Sequence, residues 1–127
     1  MPDVRGRRPR DASIGVASTS RTGASVERRA ARHYRLRGYR VLGRNVWSGG
    51  YELDLIVRRG RRLVFCEVKG KTGPGFGDPL EMVDKEKLRR LHQAAESWLA
   101  WNPGCLQLDC RFEIVAARSG RLERLAV

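Results

Sequence analysis

The sequence predicts an α/β domain in which helices flank a central mixed β-sheet. Three observations predict it. Residues 50–71 read as a β-hairpin whose strands, Leu53–Val57 and Leu63–Val68, are apolar on both sides, which calls for cover on both sides. Two further stretches, one on each side of the hairpin, carry apolar residues at helical spacing. The segments follow in the order α-β-β-β-α-β-β, which suits a sheet with a helix on each face.

Composition bounds the possibilities. A chain of 127 residues forms one domain, and 41% hydrophobic residues support a modest core. A net charge of +12 and a pI near 10.9 mark a chain that attracts polyanions, nucleic acid first and an anionic membrane second. The three cysteines, Cys66, Cys105 and Cys110, have no metal-binding spacing, and an odd number without a secretory signal fits reduced thiols in a cytoplasm. No run approaches the length of a membrane helix, so no membrane partner is expected.

Each element has its local reasons. Residues 1–22 are rich in Arg, Pro, Gly and Ser and read as a disordered basic tail, leaving 23–127 as the folded domain. A helix is expected from Gly23 or Ala24 to Arg37, with Val26, Ala30, His33 or Tyr34, and Arg37 as its stripe and Gly38 as its stop. Tyr39–Val46 reads as a strand, and Ser48-Gly49-Gly50 turns it into the hairpin. Residues 70–83 form a Gly- and Pro-rich loop that lacks the pattern of a phosphate-binding P-loop. Asp84 is positioned to cap a second helix, Lys85–Trp101, whose stripe is Leu88, Leu91, Ala95 and Trp98 with Leu99. Asn102-Pro103-Gly104 ends it, and strands Asp109–Ala117 and Leu122–Val127 complete the sheet.

The hairpin carries the chemistry. Side chains alternate along a strand, so Glu52 and Asp54 share one face, as do Glu67 and Lys69. A two-residue loop at Arg59-Gly60 sets position 52 opposite 67; a four-residue loop sets 54 opposite 67. Either even count gathers all four charges on one face, which toward the turn carries Ile56, Leu63 and Phe65. Carboxylates crowded in a partly buried place repel one another and lose hydration unless a cation joins them, and oxygen donors of this type suit Mg²⁺ or Mn²⁺. The competing reading is a solvated face with simple Glu67–Lys69 or Asp54–Lys69 ion pairs. Glu27 is the only acid of the first helix, either paired locally with arginines or aimed at the hairpin. Lys85, Lys87, Arg89 and Arg90 sit at the start of the second helix, where cations oppose its dipole; an anionic partner would relieve this, and a solvated face would tolerate it.

Asp54 followed by Glu67-Val68-Lys69, on adjacent strands after a helix, resembles the PD-(D/E)XK nuclease superfamily. The wider pattern is similar to the bacterial YraN-like family: Glu27, Gly38-Tyr39 with Arg44-Asn45, Glu52-Leu-Asp-Leu-Ile, Val64-Phe-Cys-Glu-Val-Lys, Phe76-Gly77, Pro79, Glu81-Met-Val, Lys87-Leu-Arg-Arg-Leu and Phe112-Glu-Ile-Val. It extends over about residues 23–117. Two positions depart from it: Tyr51 stands where the family has Gly, and Gly70 where it has Thr. The resemblance implies a restriction endonuclease-like fold, similar also to archaeal Holliday-junction resolvases. It implies a Mg²⁺- or Mn²⁺-dependent endonuclease acting on DNA in preference to RNA, structure-selective, in repair or recombination, and a possible homodimer. A non-catalytic nucleic-acid-binding protein that keeps the fold is the alternative. By position, Asp54, Glu67 and Lys69 would be catalytic. Asp54 and Glu67, assisted by Glu27 and Glu52, would hold metal. Lys71, Lys87, Arg89 and Arg90 would contact phosphates.

Overall fold

The computed structural model describes residues 20–70, 84–118 and 120–127. The tail up to residue 19, residues 71–83 and therefore Lys71 lie outside them. Helix α1 spans Ser20–Leu36, and strands β1 (Arg40–Ser48), β2 (Tyr51–Arg59) and β3 (Arg62–Lys69) follow. Helix α2 spans Lys85–Trp101, a single 3₁₀ turn covers Pro103–Cys105, and β4 (Asp109–Arg118) and β5 (Arg121–Ala126) end the chain. The described strands form one sheet in the order β1-β2-β3-β4-β5. It is mixed, because β3 and β4 run parallel and the other neighbours antiparallel. A parallel pair needs a long crossover, and α2 lies within it.

Local chemistry sets the ends of the elements. Gly38 sits at φ 87, and its N–H donates to Arg35 O while Tyr39 N–H donates to Tyr34 O. This pair of bonds satisfies carbonyls that the end of α1 would otherwise leave open. Asp84 caps α2 by accepting from Lys87 N–H at 2.8 Å. Asn102 closes it through its side-chain amide, which donates to Trp98 O at 2.8 Å.

The sheet separates two cores. On one side Ala30, Ala31 and Tyr34 of α1 pack on Leu55, Val57, Val64, Cys66 and Val115. On the other, Leu91, Ala94, Ala95 and Trp98 of α2 pack on Val46, Leu53, Ile56, Leu63 and Phe65. The doubly covered hairpin is thus present. Cys66 is buried in the first core, and no cysteine among the described residues is in a disulfide.

Four expectations need correction. The hairpin loop is Gly60-Arg61, because Arg59 pairs with Arg62; Gly60 at φ 60 provides the dihedral such a tight loop requires. Arg37 is exposed, since the Gly38 stop ends the helix before it can join the stripe. Helix α1 begins at Ser20, earlier than the glycine that sequence rules favour. Leu53 and Leu55, two residues apart, enter opposite cores, so side-chain alternation breaks at Asp54. Unbroken alternation is therefore not what gathers the hairpin charges, although Glu52, Asp54 and Glu67 line one cavity and Lys69 pairs with Glu67.

Candidate active site

The break at Asp54 builds the site. From the loop toward the strand ends, β2 and β3 pair from Arg59↔Arg62 to Leu55↔Cys66. Beyond that point the Asp54 carboxylate accepts from Val68 N–H at 2.9 Å. A side chain thus takes the place of a backbone partner and stays fixed by a main-chain donor. In β1, Asn45 faces this irregularity with a left-handed φ of 51, a conformation Asn tolerates better than most residues.

Two helices bring side chains to the same place, α1 from its middle and α2 from its first turn. Glu27 of α1, Glu52 and Asp54 each present a carboxylate oxygen, all within 4.8 Å of one another, and each residue is half-buried. From the side of α2, Lys87 Nζ reaches Glu67 Oε1 at 2.8 Å, and Lys69 Nζ reaches the same oxygen at 3.3 Å. Glu67 is only 8% exposed, so these contacts neutralise a carboxylate with little access to water. A cavity of about 310 Å³ is lined by Tyr51, Glu52, Asp54, Glu67, Lys87 and Arg90.

Electrostatics distinguish the acids. Burial, then the nearby Glu67 carboxylate, pushes the Asp54 carboxyl up to about 8; the Val68 N–H opposes this and Glu27 adds to it. Asp54 therefore resists ionisation while its neighbours are acids, and a cation among Glu27, Glu52 and Asp54 would remove that resistance. Three hard oxygen donors from two elements, α1 and β2, fit Mg²⁺ or Mn²⁺ by donor type.

The sequence-derived residues divide as follows. Asp54, Glu67 and Lys69 come together, and Glu27 and Glu52 join Asp54. Lys87 lies inside the site as a partner of Glu67. Arg90 lines the cavity and also reaches Glu86 Oε1 at 3.1 Å. Arg89 is exposed, bonded to Glu86 at 2.7 Å and within 3.5 Å of the Tyr51 hydroxyl. The acid at Glu86, on the first turn of α2, compensates the cations that oppose the dipole there. Tyr51 lies at the cavity wall with Arg90 5.7 Å above its ring.

A second buried carboxylate escaped the sequence reading. Glu113 of β4 accepts both Arg124 Nε at 2.8 Å and Arg124 Nη2 at 3.1 Å, and also the Tyr34 hydroxyl. Burial acts against its charge, but the Arg124 and Tyr34 bonds outweigh it and hold the carboxyl below its ordinary range. The only local signal was a lone Glu inside the apolar run Phe112–Val115.

Fold and site define an α/β protein that assembles a carboxylate cluster beside lysines at the end of a mixed sheet. The chain matches the Uncharacterised protein family UPF0102 over residues 26–117, and it belongs to that family. Among its relatives, the UPF0102 protein of Dechloromonas aromatica is 40% identical over 106 residues, 84% of this chain and 86% of its own. The UPF0102 protein YraN of Escherichia coli O1:K1 / APEC is 36% identical over 115 residues, 90% and 88% of the two chains. The UPF0102 protein of Magnetococcus marinus is 36% identical over 102 residues, 80% and 82%. The YraN-like resemblance is therefore correct. No helix among the described residues is long and apolar enough to cross a membrane.

Proposed function

We propose that this protein is a divalent-metal-dependent endonuclease of the PD-(D/E)XK type, hydrolysing phosphodiester bonds in DNA with selectivity for structure over sequence. The observation that carries the reading is the convergence of Glu27, Glu52 and Asp54 within 4.8 Å, next to Glu67 and its two lysines. In this reading Asp54, Glu27 and Glu52 would hold Mg²⁺ or Mn²⁺, with Glu67 as a further candidate ligand. A bound ion would supply Lewis-acid stabilisation of the charge that develops on phosphate.

The chain's own residues would do the rest. Val68 N–H fixes the Asp54 carboxylate. Glu67 holds Lys69 and Lys87 in place, and their ammonium groups face the phosphate and steady its negative charge. Lys69 also orients the attacking water, and Arg90 at the cavity rim receives a neighbouring phosphate. No base-reading motif accompanies these groups, which is why branched, flapped or nicked DNA is the expected substrate class.

One observation favours the non-catalytic alternative. Glu67 is already neutralised by two ammonium groups, an arrangement that stands without any ion. A panel of branched, flapped, nicked and single-stranded substrates, incubated with Mg²⁺ or Mn²⁺, separates the two. Cleavage that disappears in Asp54→Ala and Lys69→Ala while binding persists supports the nuclease. Binding with a steep salt dependence and no cleavage of any substrate supports the binding module.

A further inference from the structure

The outer face of α1 carries a second feature, one that the acid site does not use. Arg28, Arg32 and Arg35 stand at i, i+4 and i+7, so they share one face of the helix and climb it over about 10 Å. Arg44, on the edge strand β1, stands beside them. These four exposed arginines line a cavity of about 360 Å³ together with Ser25 and Arg29. Among the described residues, the ion pairs of arginine are those of Arg89 and Arg90 with Glu86 and of Arg124 with Glu113, on other surfaces. Arg29 differs from the rest: it is half-buried and donates to Gly120 O at 2.9 Å, which ties α1 to the β4–β5 turn.

We infer that Arg28, Arg32, Arg35 and Arg44 form a docking track for the phosphate backbone of duplex DNA, leading away from the acid site along α1. Three observations carry this. Arg28, the first residue of the track, directly follows Glu27 of the acid cluster in α1. Guanidinium forks match phosphate oxygens in pairs and stay charged at all relevant pH, and successive turns of a helix set them about 6 Å apart. The apolar face of α1, with Val26, Ala30, Ala31 and Tyr34, is already buried against the sheet. A helix that settles on a lipid surface needs that face free, so a phosphate strand fits the remaining surface better than a membrane does. The inference rests on the proposed nuclease reading only for the direction of the track, since duplex binding by these arginines requires no cleavage.

The test measures binding by fluorescence anisotropy with a 20-base-pair duplex in EDTA, over a series of salt concentrations. It compares wild type, the quadruple variant Arg28→Ala/Arg32→Ala/Arg35→Ala/Arg44→Ala, and the same four positions changed to Lys. All four side chains are exposed, and thermal melts establish that the variants fold. The alanine variant is expected to bind at least about tenfold more weakly, to the same degree for unrelated sequences, with a salt slope shallower by about 0.9 for each arginine in contact. The lysine variant keeps most of the slope. Wild-type affinity and slope in the alanine variant would overturn the inference. So would unchanged duplex binding combined with lost binding to phosphatidylglycerol vesicles, which would assign the face to lipid. Cleavage with Mg²⁺ is scored separately: a duplex-binding loss without any cleavage by wild type keeps the track and removes the nuclease, and cleavage with wild-type binding in the alanine variant does the reverse.

Discussion

Two buried carboxylate sites share this sheet, and they are built on opposite terms. At Glu113 one acid meets a bidentate arginine and a tyrosine hydroxyl, and its carboxyl is held below the ordinary range. At Asp54 several acids meet one another, and the carboxyl is raised to about 8. Burial acts in the same direction at both. The difference lies in the charge that the fold supplies alongside. A carboxylate held below its ordinary range by an arginine is structural; one raised by neighbouring acids is a candidate for cation binding. The crowding of acids around Asp54, rather than burial, marks the candidate site.

The comparison yields predictions of graded size. The largest concerns chemistry. On the proposed nuclease reading, Lys69→Ala is expected to lower DNA cleavage about 10²–10³-fold while duplex binding persists, because it removes the donor assigned to the developing charge. Glu113→Gln, assayed on folded protein, should leave the cleavage rate within a few-fold of wild type. Equal losses in both would erase the distinction between the two sites.

Next in size is stability. Glu113→Gln strands Arg124 and is expected to cost about 3 kcal/mol, read from urea unfolding at pH 7. Asp54→Asn should shift the metal-free protein in the other direction, since it removes an acid crowded by acids. A destabilised Asp54→Asn protein with intact Glu113 contacts would show that the Asp54 site is compensated internally after all.

The pH dependence sharpens the same contrast. Because the folded Asp54 carboxyl sits near 8, above the unfolded carboxylate range, the folded chain holds that proton more tightly than the unfolded one. Its contribution is complete below the ordinary carboxylate pKa and is lost as pH rises through about 8. Melting temperatures between pH 5 and 9 should therefore fall more in wild type than in Asp54→Asn. Glu113 has the reverse sign: its lowered carboxyl contributes above the unfolded value and is lost as pH falls.

Metal binding refines the ligand set. In calorimetry, Mn²⁺ should bind wild type more tightly as pH rises toward 8, with proton release, and Asp54→Asn should lose binding. Glu67→Gln decides whether Glu67 is a ligand, in which case binding is lost, or a holder of Lys69 and Lys87, in which case Mn²⁺ still binds and cleavage falls. The smallest effect belongs to the exposed α2 surface: Glu86→Ala should leave the urea midpoint nearly unchanged, since its partners Arg89 and Arg90 are solvated.

Much of this was legible in the chain itself. Periodicity placed both helices and every described strand within a few residues, Gly38 and Asp84 marked a helix stop and a helix cap, and an apolar-sided hairpin with an Asp and an ExK pair pointed to β2 and β3. Those signals are local, because a 3.6- or 2-residue period and a capping side chain act within a few positions. Tertiary packing decided the rest. It brought Glu27 from α1 to Glu52 and Asp54, turned Lys87 onto Glu67, sent Leu53 and Leu55 into opposite cores, and closed Glu113 onto Arg124 and Tyr34. Alternation assumes an unbroken strand, and at Asp54 the side chain takes up a backbone donor, so the local rule ends where the site begins.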